Sequence, residues 1–192
     1  AVALITFYSP MRKTNLFLPI VLFFLCSLPV VSAPRLTVVA VVDGMSTDDL
    51  RLLRSYWSKG GMRVLAEEAY QTSVGFPHLV YGGNETTATL LTGTTPSEHG
   101  YAMDRYFSRA DRQLHGLLED HQGIGTALHL SPRALLSPTL TDRLRLAHGE
   151  DARIYAVGIH PETTVLLAGH AANACCWIDP EQQRWVTTSF YP

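Results

Sequence analysis

The sequence predicts an α/β domain built on a mostly parallel central sheet, and three features carry that expectation. Leu36-Thr-Val-Val-Ala-Val-Val42 is an unbroken apolar and β-branched run that ends in Asp43, the pattern of a strand covered on both faces. A second such run, Ala152 to Ile159, lies far down the chain. Segments with helical start and stop signals alternate with the strand-like ones, as a parallel sheet with crossover helices requires.

The chain begins with residues 1–10, which precede Met11 and read as an upstream extension. Residues 11–33 read as a signal peptide: the basic start Met11-Arg-Lys, the apolar run Leu16 to Leu28 and the small residues up to Ala33 supply its regions in order. Export to the periplasm or the exterior follows, and an uncleaved leader is the only membrane contact expected. Residues 34–192 then hold the N-terminal portion of a truncated domain, because Trp185 to Pro192 stops in strand-like text.

Ser46 and Asp49 form a capping-box pattern that opens a helix carrying Leu50, Leu53 and Trp57. Gly60-Gly61 ends it, Met62 to Glu68 reads as a short second helix, and Ala69 to Val74 as an edge strand. Phe76 to Gly83 is a loop by its Pro and Gly content, followed by a helix from Asn84 to Thr92 and a polar turn from Thr94 to Tyr101. Asp104 to Ser137 carries no clear periodicity. Leu140 to His148 reads as a helix, and so does Glu162 to Ala168, bounded by Pro161 and Gly169. Cys175 to Ile178 and Arg184 to Thr188, joined at Asp179-Pro180, read as a hairpin.

Composition removes some function classes. The formal net charge is −2 and the 15 basic residues are dispersed, so nucleic-acid binding has no electrostatic footprint. The adjacent Cys175-Cys176 supplies neither a disulfide framework nor the cysteine spacing of a zinc site.

Candidate residues cluster where ligand chemistry is expected. Asp43 stands at the carboxyl end of a predicted sheet strand, where α/β folds bind ligands, and reads as a metal ligand or as a cap for the next helix. The helix from Asn84 follows Gly82-Gly83, so its free N–H groups and dipole suit an anion, and Asn84 is a substrate-binding candidate. Thr86 and Thr87, in its first turn, are candidate nucleophiles or packed capping residues. His160 is a substrate contact or a helix cap.

With Asp43, Thr92-Gly93 and Pro96-x-x-His99-Gly100 in place, the chain resembles the type I phosphodiesterase and nucleotide pyrophosphatase group of the alkaline phosphatase superfamily. It is most similar to the phosphate-irrepressible bacterial alkaline phosphatase branch. The likeness extends to Thr139-Leu-x-Asp-x-Leu-Arg-Leu146, to Ala168-Gly-His-Ala-Ala-Asn-Ala174 and to Trp177-Ile-Asp179 with Trp185-Val-Thr-Thr-Ser189. The resemblance implies an alkaline-phosphatase-like sandwich, two zinc ions, a threonine nucleophile and a small phosphorylated substrate, monoester or diester. Asp43 matches the family's first metal-binding aspartate, and this chain supplies no other ligand of that set.

Two departures from the family pattern stand out. The nucleophile's place, nine positions before Thr92, is Gly83, and His160-Pro161-Glu162 replaces a phosphate-contacting Lys-x-Arg. A glutamate there repels the anion that an arginine would clamp. These departures keep a second reading open, a non-catalytic member that binds a ligand or partner. His99 and His170 fall in motifs where a packed, hydrogen-bonded role is expected.

Overall fold

The computed structural model describes residues 36–42, 44–79, 83–122 and 129–192. The chain divides into two units, residues 1–40 and 41–192, and every helix and strand below belongs to the second. The expected extension 1–10, the leader 11–33 and Asp43 lie outside the described residues. Among the described residues no helix is long and apolar enough to cross a membrane.

Local signals translate directly into the first helices. In α1 (Thr47–Leu53) Asp49 N donates to Ser46 Oγ at 3.1 Å, and Ser46 N donates to the Asp49 carboxylate at 2.8 Å. The capping box therefore closes as the sequence requires. α2 (Met62–Glu68) starts after Gly61, whose φ of 56° favours glycine. The two strands expected on either side are not formed. Residues 36–42 and 69–74 carry no ladder, and Val38, Val42 and Val74 are exposed. An apolar run becomes a strand only when a neighbour takes its N–H and C=O groups. Among the described residues no strand pairs with either segment.

α3 (Asn84–Thr92) buries Thr87, Ala88 and Leu91 and ends at left-handed Gly93. The expected turn after it contains a short helix, α4 (Pro96–His99). The stretch without periodicity folds partly into an antiparallel hairpin, β1 (Arg105–Ser108) with β2 (Gln113–Gly116). Its side chains are mostly exposed, the apolar Tyr106, Phe107 and Leu114 among them, so no buried hydrophobic alternation marks it.

The sheet that organises the unit comes last in the chain. After α5 (Leu140–His148) come β3 (Tyr155–Gly158), α6 (Pro161–Ala168), β4 (Ala174–Asp179) and β5 (Arg184–Val186). The strand order is β3-β4-β5, with β3 parallel to β4 and β5 antiparallel. Parallel neighbours need a crossover, and α6 is that crossover. Its Val165 and Leu166 are fully buried among Ala156, Cys175 and Trp177. Burial of each stabilises the fold by roughly 1.5–3 kcal/mol. The expected α/β class holds, and parallel pairing holds for β3–β4, while β4–β5 is the predicted hairpin.

Two sequence motifs interlock next. Asp142 in α5 accepts from Thr139 N at 2.9 Å, His170 N at 2.7 Å, Ala171 N at 3.1 Å and His170 Nδ1 at 2.8 Å. Arg145, one turn on, donates to the carbonyls of Ala152, Gly149 and Ala171 and to Asn173 Oδ1. Asn173 Oδ1 also accepts from Ile154 N at 2.8 Å. The turn after α6 is thereby tied to α5 and to the start of β3, which fixes the height at which α6 begins.

Candidate functional site

The N-terminal ends of α3 and α6 meet, and Asn84 is the side chain that joins them. Thr163 Oγ1, in the first turn of α6, donates to Asn84 Oδ1 at 2.7 Å. Asn84 Nδ2 donates to Asp104 Oδ1 at 2.9 Å, and Tyr101 Oη donates to the same oxygen at 2.8 Å. One amide thus uses both ends to hold three segments together. Two helix N-termini in contact favour negative charge beside them.

Carboxylates oppose that preference. Burial first, and then Asp104 with help from Glu162 and Glu85, holds the Tyr101 phenol above its ordinary range. Three acidic side chains therefore lie close enough to the junction to be felt at one oxygen. An anion placed there would meet two helix dipoles and the Asp104 carboxylate together.

The sequence-predicted residues fall at or beside this junction. Gly83 is the N-cap of α3 and has no side chain to cap with. Thr87 is buried, and its hydroxyl donates to the Gly83 carbonyl at 3.0 Å, a back-bond that closes the first turn. Thr86 is half-buried on the adjacent face. His160 is the exposed N-cap of α6, and its carbonyl, rather than its ring, takes Thr164 N and Thr164 Oγ1. The structure brings Asn84, Thr86 and Thr87 together on one turn and sets His160 three residues before Thr163. Asp43 lies outside the described residues.

The remaining histidines of the motifs are structural. His99 is fully buried, with Nδ1 accepting from Tyr101 N at 3.1 Å and Nε2 3.1 Å from Thr89 Oγ1. Burial, then the charge of His78, pushes its pKa down, so a neutral ring fills this place. His170 is paired with Asp142 as described, and that bond raises its pKa.

Sequence reasoning missed Tyr101, Asp104 and Thr163. Thr163 lies 79 positions from Asn84, and such a pairing leaves no local pattern to read. As for a metal, the described residues at the junction bring no set of three ligand atoms together. The one convergent group among the described residues is His115, Glu119 and His121, on and after β2.

No family model matches the chain. Relatives do. The chain is 30% identical over 173 residues to alkaline phosphatase PafA of Elizabethkingia meningoseptica, covering 84% of this chain and 31% of that protein. It is 27% identical over 171 residues to alkaline phosphatase PhoV of Synechococcus elongatus, and 30% identical over 167 residues to a protein of Myroides odoratus named calcium-transporting ATPase. A crystal structure of a four-site variant of PafA superposes with a TM-score of 0.72 at 26% identity, over 79% of this chain and 31% of that one. The chain belongs to the alkaline phosphatase superfamily. Its relatives are phosphatase-like hydrolases, and it spans about 30% of the length of those it matches. Wild-type PafA superposes with a TM-score of 0.52 over 57% of this chain. The fold that this superfamily member shares with PafA therefore includes most of the described elements.

Proposed function

We propose that this polypeptide contributes the phosphoryl-binding end of an exported, metal-dependent phosphohydrolase acting on a small phosphorylated substrate, monoester or diester. The observation that supports the reading is the meeting of two helix N-termini at Asn84, held by Thr163 and Asp104. In this proposal Asn84 and His160 contact the substrate, Asp43 is a ligand to one of two zinc ions, and a hydroxyl of the first turn of α3 attacks phosphorus. Thr86 is the better candidate of the two, because Thr87 is buried. Bound beside Asp43, such ions would supply positive charge to the phosphoryl group.

The test is turnover of nitrophenyl phosphate and bis-nitrophenyl phosphate by zinc-loaded protein expressed from the complete reading frame. Wild type is expected to exceed Asp43→Asn by at least a hundredfold, on the order of what loss of a metal ligand removes. Equal rates for the two defeat the proposal.

A second reading, a non-catalytic member that binds a ligand, is favoured by a specific observation: Gly83 stands where the family places its nucleophile, and Thr87 is turned into its own helix. That reading predicts zinc-dependent phosphate binding with no turnover. Turnover by the wild type separates the two, and its loss in Thr86→Ala assigns the attacking hydroxyl.

A further inference from the structure

We propose a second metal site, independent of the Asn84 junction, in which His115, Glu119 and His121 bind one zinc-like divalent cation. Nothing in the phosphohydrolase reading uses these residues. His115 lies on β2, with its ring opposite Tyr106 of β1 at 5.8 Å between centroids. Glu119 is held from two sides: its carboxylate accepts from Gly116 N at 3.0 Å, and its backbone forms a bridge with Leu130. His121 follows two residues later, its ring 5.5 Å from that of His115 and at right angles to it.

The ligand atoms of the three residues lie within 4.8 Å of one another. His115 Nδ1 is 3.7 Å from one Glu119 oxygen, and His121 Nδ1 is 4.0 Å from the other. A tetrahedral ion with bonds of about 2.1 Å sets its ligands about 3.4 Å apart. His121 is 72% exposed, so its ring has room to turn toward the other two ligands.

The decisive feature is behind the cluster. Asp111, at the tip of the hairpin, meets His115 Nε2 at 2.6 Å. A carboxylate there suits the tautomer with its proton on Nε2, which would turn the Nδ1 lone pair toward Glu119. This carboxylate–imidazole arrangement is the one that orients a metal-ligating histidine. Asp111 is itself fixed by Gln113 N at 3.2 Å, and Arg112 beside it takes the positive φ of 60° that the tight turn needs. Two imidazoles and one carboxylate select zinc and its first-row neighbours over calcium or magnesium. Three protein ligands leave a fourth position for water or an anionic group.

The test is equilibrium dialysis of Zn2+ alone against wild type, His121→Ala, Glu119→Gln, Asp111→Asn and Asp43→Asn, with imidazole resonances followed by 1H–15N NMR. Wild type and Asp43→Asn are expected to bind one more equivalent at this hairpin than His121→Ala and Glu119→Gln, with shifts at the His115 and His121 rings. Asp111→Asn is expected to weaken that equivalent by about 10–100-fold. His121 and Glu119 are exposed, so their replacement leaves the fold intact, which melting curves verify. The same zinc stoichiometry and affinity in wild type and His121→Ala, or zinc uptake that leaves both imidazoles unmoved, overturns the proposal. Because Asp43→Asn keeps the site, failure here and failure of the phosphohydrolase reading are distinguishable.

Discussion

Replacing Asp142 by alanine removes the acceptor for four hydrogen bonds, from Thr139 N, His170 N, Ala171 N and His170 Nδ1. The Asp142 side chain is 8% exposed and that of His170 35%. Deleting one partner of a buried charge pair costs about 3–5 kcal/mol, and this pair's partial exposure puts the change at the lower end, about 3 kcal/mol. For a unit of this size that lowers Tm by roughly 6–12 °C. His170→Ala loses a single half-exposed side-chain bond and keeps its backbone donor, so it costs about 1 kcal/mol.

The pair also predicts a pH window. Burial pushes the Asp142 carboxyl up, but the His170 imidazole and the backbone donors outweigh it and hold it below its ordinary value. The His170 pKa is raised, by Asp142 first. The contribution of His170 is fully present below the ordinary histidine value of about 6.5 and is lost as pH rises through the raised one. That of Asp142 is fully present above about 3.9 and is lost as pH falls through the lowered value. Urea unfolding of wild type and His170→Ala across pH therefore shows the largest difference between about pH 4 and 6.5, shrinking in alkali. A difference that grows with pH, or an Asp142→Ala variant as stable as wild type, refutes the reasoning.

Three further outcomes follow from the same packing. Arg145→Met keeps the stem but deserts the carbonyls of Ala152, Gly149 and Ala171 and the Asn173 amide, and costs about 2–3 kcal/mol in urea titrations. Gly169→Ala forces a left-handed φ of 64° on a residue whose new Cβ falls 2.7 Å from Thr141 Oγ1 and 2.8 Å from Asp142 Oδ1; a loss of about 2–4 kcal/mol in thermal unfolding is expected. Burial, and then its neighbour Cys176, pushes the Cys175 thiol up to about 12, so mass mapping after brief alkylation of native protein finds Cys176 modified well ahead of Cys175.

What could be read from the sequence was what is decided locally. Ser46 with Asp49, Pro161 with Gly169, and the turn at Asp179-Pro180 act within a few residues, and each lies where expected. The helix at Asn84 was legible because two glycines precede it, and the expectation of an anion-facing end rests on helix geometry alone. The run 36–42 shows the converse. Its composition suits a buried strand, but pairing is a property of a neighbour, and among the described residues that neighbour is not there. The β1–β2 hairpin was hidden because exposed strands need no apolar alternation. Asp104 and Thr163 were hidden because a single long-range hydrogen bond writes nothing into the residues around it. The motifs containing Asp142 and His170 were each visible, while their contact with one another was not.

Binding of inorganic phosphate to the purified protein, followed by calorimetry with and without Zn2+, tests most directly whether Asn84 marks a phosphoryl site. Binding is expected only when zinc is present, because the Asp104 carboxylate repels an unaccompanied anion, and Asn84→Ala is expected to bind at least tenfold more weakly. Phosphate that binds equally well without metal, or that binds wild type and Asn84→Ala alike, contradicts it.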